Sequence, residues 1–452
     1  MFEGGRKPAA VFVFDNNARK TYIFIQTTIQ TGKTMDHNVT TIILAGGQGS
    51  RLHPLTQSRS KPAVPIGGKF RLIDIPISNC LHHGMRTIWV LTQFASESLH
   101  RHIFQAYRLD AFSGGFVSVL AASQSVDNKG WYEGTADAVR KNLRNFRQAG
   151  DAILLLSGDH LYRMDFTKFI KFHKDMNADI SLSVMPVTRS QAPELGVLKM
   201  DADYRVLDFM EKPKDEAVIK EYEIPQKLRK TEPGQEERTH VGSMGIYLFN
   251  KEVLFDVLNK YDFDDFGKQI IPAAMKTHKV FAYPFSGYWE DIGTIKAFFE
   301  AHMAMTSQNP PFNFYDEKNP IFTNARFLPA AKISGSNIDS SIICEGCMIE
   351  NAKIGSSVVG VRSIIRDGSH LSRVILMGAD SYETGTKTSG RMGIGQNCHI
   401  RNAIIDKDVS IGDGAVLINK DSLVNAERDG IVIHDGIIIV PKGVNVPPRY
   451  VL

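Results

Sequence analysis

The sequence predicts an α/β domain with a mostly parallel sheet, followed by a parallel β-helix. Between about residues 39 and 306, short apolar runs alternate with stretches of helical spacing, which is typical of βαβ units. After residue 330, apolar residues recur every six positions with small residues, Gly and Asp between them. A six-residue period of this kind is typical of the coils of a β-helix.

Composition excludes several classes of protein. The 452 residues suggest two or three domains, and 53 Lys and Arg against 49 Asp and Glu leave a formal charge of only +4. No apolar run approaches the roughly 20 residues that span a bilayer. Four cysteines are too few for a disulfide scaffold, and Cys344 and Cys347 have no second pair at zinc-site spacing. We therefore expect no nucleic-acid partner, no membrane partner and a reducing, cytoplasmic compartment, with a plastid as the alternative.

Residues 1–38 differ from the rest of the chain. They hold two short apolar runs but neither the single long apolar stretch nor the cleavage site of a secretory signal. We expect a poorly packed extension, or a start assigned upstream of the true one, because Met35 lies just before the first convincing strand.

The α/β domain is predicted to span 39–306. A threonine N-cap at Thr135 is expected to begin a helix that runs through Phe146. Ligands of such sheets usually bind beyond the carboxyl ends of the strands. The runs that read as buried strands are Val39–Leu44, Thr87–Leu91, Ala152–Leu156, Ile180–Val184 and Met244–Phe249.

A proline-rich linker, 307–330, precedes the predicted β-helix of 331–452. The six-residue register is carried by apolar residues that are expected to point inward: Ile342, Met348, Ile354, Val358, Ile364, Ile394, Ile400, Ile405, Ile411 and Leu417.

A glycine-rich loop follows the first predicted strand. Gly46, Gly47 and Gly49 would let backbone N–H groups approach a phosphate chain, while Arg51 and Lys61 supply two cations beside it. The loop is neither a dinucleotide fingerprint nor a Walker loop. Glycines and cations in this arrangement indicate a triphosphate site.

Four segments together carry a resemblance to a known family: 44–56 with 61–64, 71–80, 131–139 and 157–162. The first resembles the signature of sugar-nucleotide pyrophosphorylases, and the others resemble glucose-1-phosphate adenylyltransferases of the bacterial and plant type, the ADP-glucose pyrophosphorylases. The resemblance runs from about 39 to the C-terminus. It implies a Rossmann-like nucleotidyltransferase domain, a left-handed β-helix, and the reaction of ATP with glucose 1-phosphate that yields ADP-glucose and diphosphate for glycogen or starch synthesis.

Two carboxylates are predicted to hold Mg²⁺. Asp159 directly follows a predicted strand, where a carboxylate can hold the ion against nucleotide phosphates. The resemblance implies Asp291 as the second ligand. The alternative is that both residues only cap the elements that follow them.

The resemblance also assigns the two substrate sites. Lys212 would bind the phosphate of glucose 1-phosphate and Glu211 the sugar hydroxyls, although a surface ion pair is the alternative. Three further positions match the sugar site: Tyr132, Gly196 and Ser243. Beside Gly196, Leu195 stands where the family commonly has Phe. The nucleotide site would comprise Leu44, Ala45, Gly46, Gly47, Gly49, Arg51, Lys61, Gln93, Gln124, Gly134, Thr135 and Asp159, and Ser123 stands where many relatives have a further glutamine.

Regulation and assembly are implied as well. The resemblance implies small anionic effectors that bind between domains and subunits, and a homotetramer or a heterotetramer with a related subunit. The candidate effector ligands are His53, Arg401, Lys407, Lys420 and Lys442. The alternative is that these residues are only solvated surface cations.

Three other functions stay open: transfer from UTP, dTTP or GTP, a bifunctional acetyltransferase, and a non-catalytic regulatory subunit. Because the charged residues of the predicted site are all present, a working enzyme is favoured.

Overall fold

A computed structural model describes residues 38–110, 114–122, 130–224, 229, 236–382 and 391–452. The predicted N-terminal extension, apart from residue 38, and Gln124 lie outside the described residues. The chain from His37 onward forms one compact unit.

The first part of the chain alternates between strands and helices. Its strands are β1 Val39–Ala45, β2 Pro65–Ile66, β3 Phe70–Arg71, β4 Thr87–Thr92, β5 Phe116–Ala121, β6 Ala152–Ser157, β7 His160–Tyr162, β8 Ile180–Val187, β9 Gly196–Met200, β10 Val206–Glu211, β11 His240–Asn250, β12 Val280–Pro284 and β13 Trp289–Asp291. Its helices are α1 Asp74–His82, α2 Glu97–Ala106, α3 Thr135–Arg140, α4 Phe166–Asp175, α5 Glu216–Glu221, α6 Lys251–Lys260, α7 Ile271–Ala274 and α8 Ile295–Met305. All five predicted strands are confirmed.

A nine-stranded mixed sheet forms the centre of this part. Strands β5, β4, β1 and β6 are parallel neighbours, and β12 is parallel to β8. Strand β11 runs antiparallel to β6, β8 and β9, and β10 runs antiparallel to β9. The carboxyl ends of β1 and β6 therefore meet at one edge of the sheet, which is where parallel sheets place their ligand sites.

The start of α3 differs from the prediction. Gly134, in extended conformation, is the N-cap, and Thr135 is already the first helical residue. The Thr135 hydroxyl instead accepts a hydrogen bond from the Phe266 backbone N–H at 3.1 Å, so it connects α3 to another segment. The predicted N-cap is therefore wrong, and the helix ends at Arg140, before a 3₁₀ turn at Leu143–Phe146.

Short strands in stacked coils form the second part of the chain. They are β14 Lys332–Ser334, β15 Asn337–Asp339, β16 Ile342–Ile343, β17 Met348–Glu350, β18 Lys353–Gly355, β19 Val358–Val359, β20 Ile364–Ile365, β21 His370–Leu376, β22 Gly393–Ile394, β23 His399–Ile405, β24 Ser410–Ile411, β25 Val416–Leu417, β26 Ala426–Arg428, β27 Ile431–His434, β28 Ile437–Val440 and β29 Asn445–Val446. Pairing between coils is parallel, except that β26, β27 and β28 form an antiparallel meander near the end.

The predicted inward register is correct for most coils and wrong by one residue in β17 and β20. Met348 is 38% exposed, whereas its neighbour Ile349 is 1% exposed. In β20, likewise, Ile365 is fully buried and Ile364 only partly. Each of these strands has two adjacent apolar residues, so the six-residue period alone could not decide which of them points inward.

The two parts share one hydrophobic core. Residues Ile375, Met377, Ile404 and Ile439 of the β-helix belong to the same buried cluster as Leu52 and its neighbours in the α/β part. Across this contact Arg59 Nη1 donates to both oxygens of Asp406, at 2.9 and 3.0 Å, and both side chains are almost fully buried.

In the described part of the chain no helix has the length and apolar character that crossing a membrane requires.

Candidate active site

The glycine loop leaves the carboxyl end of β1 and needs glycine for two different reasons. Gly49 has φ +65°, and a Cβ there would lie 3.0 Å from the Cβ of Lys61. The Thr56 hydroxyl fixes the turn by donating to the Gly49 carbonyl at 2.9 Å. At Gly47, by contrast, no atom of the described residues would lie within 4 Å of an added Cβ, so the fold itself does not require glycine there. Gly47 faces open space, where a ligand can approach the backbone.

A small cavity lies against this loop and collects most of the predicted phosphate-binding residues. Its volume is about 200 Å³. Arg51, which is exposed, reaches its rim, and a Cβ at Gly293 would lie 3.3 Å from the Arg51 Nη2. The cavity is lined by Leu44, Ala45, Gly47, Gly49, Ser50, Arg51, Lys61, Pro62, Asp159 and Gly293. Gly46 lies beside Gln93 and Tyr132 instead.

Two short strands bring the predicted metal ligands together. Strand β13 pairs antiparallel with β7, so that Asp291 lies opposite His160, the residue after Asp159. Lys61 Nζ lies between the two carboxylates, 2.6 Å from Asp159 Oδ2 and 3.0 Å from Asp291 Oδ1. Lys61 therefore links two aspartates that are far apart in the sequence.

Burial and neighbouring charges together shift the pKa values of Asp159 and Lys61. Burial opposes ionisation of Asp159, but the charges of Lys61 and His160 outweigh it and hold the pKa of the carboxyl well below its usual range. Burial also opposes the charge of Lys61, and the two aspartates outweigh it and raise the pKa of the ammonium. Both groups are thus charged at neutral pH, and the Ser157 hydroxyl donates to Asp159 as well.

The donor set fits Mg²⁺. One ligand atom from each of Asp159, His160 and Asp291 lies within 4.8 Å of the others, and two of these are the carboxylate oxygens that Mg²⁺ prefers. Lys61 compensates one of the two carboxylate charges, and His160 Nε2 lies 3.6 Å from Asp159 Oδ1. Asp159 and Asp291 are therefore able to hold a divalent cation beside the glycine loop.

Three of the predicted sugar-site residues, Glu211, Lys212 and Gly196, lie at or beside the end of β10. Lys212 has φ +49° and its N–H donates to the Leu195 carbonyl at 3.0 Å, while its Nζ is 3.9 Å from Glu211 Oε1. Burial raises the pKa of Glu211. A Cβ at Gly196 would lie 2.7 Å from Glu211 Oε2, so glycine at this position gives the carboxylate its space.

Three residues near Glu211 escaped the sequence interpretation. A Cβ at Gly267 would lie 2.8 Å from Glu211 Oε2, and Asp265 acts on the same carboxyl electrostatically. Burial raises the pKa of Tyr247, and the charge of Glu211 acts in the same direction. The acidic pair before Gly267 in the sequence was the one signal that pointed to this segment.

Three more of the predicted residues contact other parts of the protein: Gln93 and Gly134 of the predicted nucleotide site and Tyr132 of the predicted sugar site. Gln93 Nε2 donates to the Tyr132 carbonyl at 3.2 Å, and Gln93 Oε1 accepts from the Tyr132 N–H at 2.5 Å. The Tyr132 hydroxyl accepts from Asn142. A Cβ at Gly134 would lie only 2.2 Å from the Asp264 carbonyl oxygen, so this glycine serves close backbone packing.

The predicted effector residues are divided. Lys407 and Lys442 line one large cavity between the α/β part and the β-helix. Arg401 lines depressions elsewhere on the β-helix surface, and His53 and Lys420 are exposed. The structure thus brings two of the five together.

Cys344 and Cys347 do not form a reactive or metal-binding pair. Their thiols are buried and point at the carbonyls of Gly67 and Gly360, at 3.8 and 3.1 Å. Burial raises the pKa of these thiols to about 12 and about 11, so both are protonated at neutral pH.

Comparison with known families agrees with this geometry. The pattern of the nucleotidyl transferase family matches residues 40–308, more than half of the chain, and the chain belongs to that family. A second pattern, the GLGC left-handed parallel beta-helix domain, matches residues 326–451. The protein is a sugar-1-phosphate nucleotidyltransferase, and its family implies a nucleotide and a sugar phosphate as substrates. The predicted fold class is confirmed.

Proposed function

We propose that the protein is a glucose-1-phosphate adenylyltransferase, which converts ATP and α-D-glucose 1-phosphate to ADP-glucose and diphosphate. The observation that carries nucleotidyl transfer is the position of Lys61 between Asp159 and Asp291, with Lys61 and Asp159 in the wall of the glycine-loop cavity. The match to the GLGC-type β-helix, together with the motifs at 71–80, 131–139 and 157–162, supports ADP-glucose as the product.

The proposed reaction is a single in-line displacement. A phosphate oxygen of glucose 1-phosphate attacks the α-phosphorus of ATP, the bond from that phosphorus to the bridging β-phosphate oxygen breaks, and diphosphate leaves. Lys212 and Glu211 hold the attacking sugar phosphate, and Arg51 and Lys61 neutralise the diphosphate. Because no covalent intermediate is needed, catalysis consists of positioning and charge neutralisation.

Nucleotidyltransferases of this family typically use Mg²⁺. Asp159 and Asp291 are the residues that would hold it, and the bound ion would supply further positive charge to the phosphates. Lys61, drawn toward the phosphates by their charge, would then no longer bridge the two aspartates.

Product analysis tests the base and the sugar phosphate directly. The protein is incubated with glucose 1-phosphate and Mg²⁺ and with ATP, UTP, GTP or dTTP in separate reactions, and the sugar nucleotide is identified by chromatography. ADP-glucose in excess over the other products supports the proposal. A larger yield with another nucleotide identifies a related transferase, and no product with any of them identifies a regulatory subunit.

We also propose that small anionic effectors bind in the cavity between the two parts of the chain. Its volume is about 860 Å³, and seven Arg or Lys side chains line it against two carboxylates. Arg59 Nη2 is buried there with no hydrogen-bond partner among the described residues. The basic residues are Arg59, Arg71, Arg101, Arg326, Arg362, Lys407 and Lys442. Reaction rates with and without 3-phosphoglycerate, fructose 1,6-bisphosphate and pyruvate test this, and equal rates in all four conditions would argue against it.

For the assembly we propose a homotetramer, or a heterotetramer with a related subunit, in the cytoplasm. Light scattering on the purified protein distinguishes a tetramer from a monomer, and cell fractionation tests the location.

A further inference from the structure

One carboxylate lies in the middle of the cationic cavity. Asp380, in the turn after β21, contacts both predicted effector lysines, one with each of its oxygens. Its Oδ1 is 2.6 Å from Lys407 Nζ, and its Oδ2 is 2.6 Å from Lys442 Nζ. The Asp380 backbone N–H donates to Asp408 Oδ1 at 2.8 Å, which fixes this segment against the lysines. The lysine pair is therefore already satisfied by the protein itself.

The other carboxylate of the cavity wall, Glu97, is much more exposed to solvent than the lysine pair. Glu97 pairs with Arg101, at 2.5 Å, and its side chain is 87% exposed. The Lys407 side chain, in contrast, is 10% exposed, so its ion pair with Asp380 is largely shielded from water. Charge-assisted hydrogen bonds are stronger where water is excluded.

The cations around Asp380 outnumber it. Burial lowers the pKa of Lys407, and Arg71 and Arg326 act in the same direction. Burial also lowers the pKa of Arg71, to about 10. Asp406 on Arg59 and Asp408 on Lys442 compensate part of this positive charge. Extra negative charge at this place relieves the repulsion that is left.

We propose that the Asp380 carboxylate is an internal competitor of phosphate-bearing effectors, which occupies the Lys407–Lys442 pair until an effector displaces it. This inference rests on the effector cavity of the proposed function. A phosphate group presents the same negatively charged oxygen acceptors to two ammonium groups as a carboxylate does, and carries more charge. Without an effector, Asp380 holds the lysines and lowers the affinity of the cavity for anions. An effector has to overcome these two contacts.

The test compares two substitutions that remove the same charge from the same cavity. Asp380→Asn frees Lys407 and leaves Lys442 with its 3.4 Å contact to Asp408 Oδ2. Glu97→Gln is the matched control because it leaves both lysine contacts with Asp380 in place. Binding of inorganic phosphate and of fructose 1,6-bisphosphate to the full chain is measured by titration calorimetry at fixed ionic strength. We expect Asp380→Asn to tighten binding by about tenfold, the scale of one charge-assisted hydrogen bond, and Glu97→Gln to change it little.

Further variants and outcomes keep the inference separate from the function on which it rests. Adding Lys407→Gln to Asp380→Asn should abolish the gain in anion affinity. Asp380→Glu keeps the carboxylate and should retain weak anion binding. Melting temperatures verify that each variant is folded. Unchanged or weaker anion binding by a folded Asp380→Asn variant overturns the competitor role while the effector cavity stands. If neither this variant nor the wild-type protein binds either anion, the effector cavity fails together with the inference. The product analysis of nucleotidyl transfer does not depend on either result.

Discussion

At the scale of single residues, the candidate active site is organised around one buried lysine. Lys61 is 8% exposed and would lose much of its hydration energy if Asp159 and Asp291 did not flank it. The two carboxylates are also oxygen donors of the kind that a divalent cation prefers. The same lysine lines the cavity in which phosphates are expected, so it has two alternative anionic partners.

Asp159→Asn tests the role of the carboxylate with little change of shape. We expect kcat to fall by about 100-fold or more, the scale for loss of a preorganised charge at a reacting centre, because the site then lacks one of its two anionic oxygen donors. Steady-state kinetics measures the effect. Asp175→Asn, which removes an exposed carboxylate paired with Lys171, is the control and should keep wild-type rates. A kcat within threefold of wild type for Asp159→Asn, with about threefold taken as assay scatter, would remove Asp159 from the mechanism.

Lys61→Met tests whether the lysine holds the place of a metal ion. Without Lys61 the two aspartates repel each other, so we expect Mn²⁺ to bind the nucleotide-free variant about tenfold more tightly than wild type. Electron paramagnetic resonance of free Mn²⁺ measures this without any turnover. Lys69→Met, which removes a half-exposed lysine paired with Glu345, is the control. Equal Mn²⁺ affinity in the Lys61 variant and wild type would contradict the idea.

At the scale of secondary-structure elements, short segments connect the two parts of the chain. The turn between β2 and β3 contacts the β-helix, since the Val361 N–H donates to the Gly68 carbonyl at 3.2 Å. The same turn is held from the other side by α8, because the Gly67 N–H donates to His302 Nε2 at 3.2 Å. His302 Nδ1 in turn donates to the Phe298 carbonyl at 2.8 Å. A neutral imidazole is required for both bonds.

His302 should make the stability of the protein depend on pH. Burial lowers the pKa of His302 to about 4, against 6.5 for an ordinary histidine. Between pH 6.5 and 4, His302 is therefore protonated in the unfolded chain but neutral in the folded chain. Its contribution to stability is complete above pH 6.5 and is lost as the pH falls toward 4. At pH 4.5 the loss amounts to about 2 kcal/mol.

Urea unfolding of wild type and His302→Gln at pH 7.5 and pH 4.5 measures this contribution. When the pH is lowered from 7.5 to 4.5, we expect wild type to lose about 2 kcal/mol more of its unfolding free energy than His302→Gln loses. This expectation does not depend on how stable the variant is at pH 7.5. His399→Gln, at an exposed histidine, should show no comparable change. The prediction fails if both variants follow the wild-type pH profile.

At the scale of the whole molecule, the α/β part and the β-helix are stabilised by each other. They share one apolar core, and the buried Arg59–Asp406 pair lies across their contact. Arg59 is two residues from Lys61, and Asp406 precedes Lys407. The contact that joins the two parts is therefore adjacent in the chain to both the candidate active site and the proposed effector cavity.

A double-mutant cycle on Arg59 and Asp406 measures this contact. Arg59→Met or Asp406→Leu alone leaves a charge buried without its partner, so we expect each to cost about 3–5 kcal/mol, while the double variant should cost much less than the sum. The pair Arg373–Glu300, 3.7 Å apart and exposed, is the matched control, with an expected coupling below about 1 kcal/mol. Calorimetric unfolding provides the values. Additive effects at Arg59 and Asp406 would show that the pair contributes no coupling.

Features that depend on neighbouring residues could be predicted from the amino-acid sequence. Strand and coil periods located the two parts of the chain, and the loop from Gly46 to Arg51 with Lys61 located the cavity at the carboxyl end of β1. Local patterns suffice here because a strand, a turn and a glycine's left-handed conformation depend on a few consecutive residues.

Pairings between distant parts of the chain became visible in the folded molecule alone. Lys61 and Asp291 are 230 residues apart, and Arg59 and Asp406 are 347 apart. Neither the position of Asp380 on the two lysines nor the choice of Ile349 over Met348 follows from local spacing. Charge pairing and burial depend on which surfaces the folded chain brings into contact, and a one-dimensional pattern carries no information about that contact.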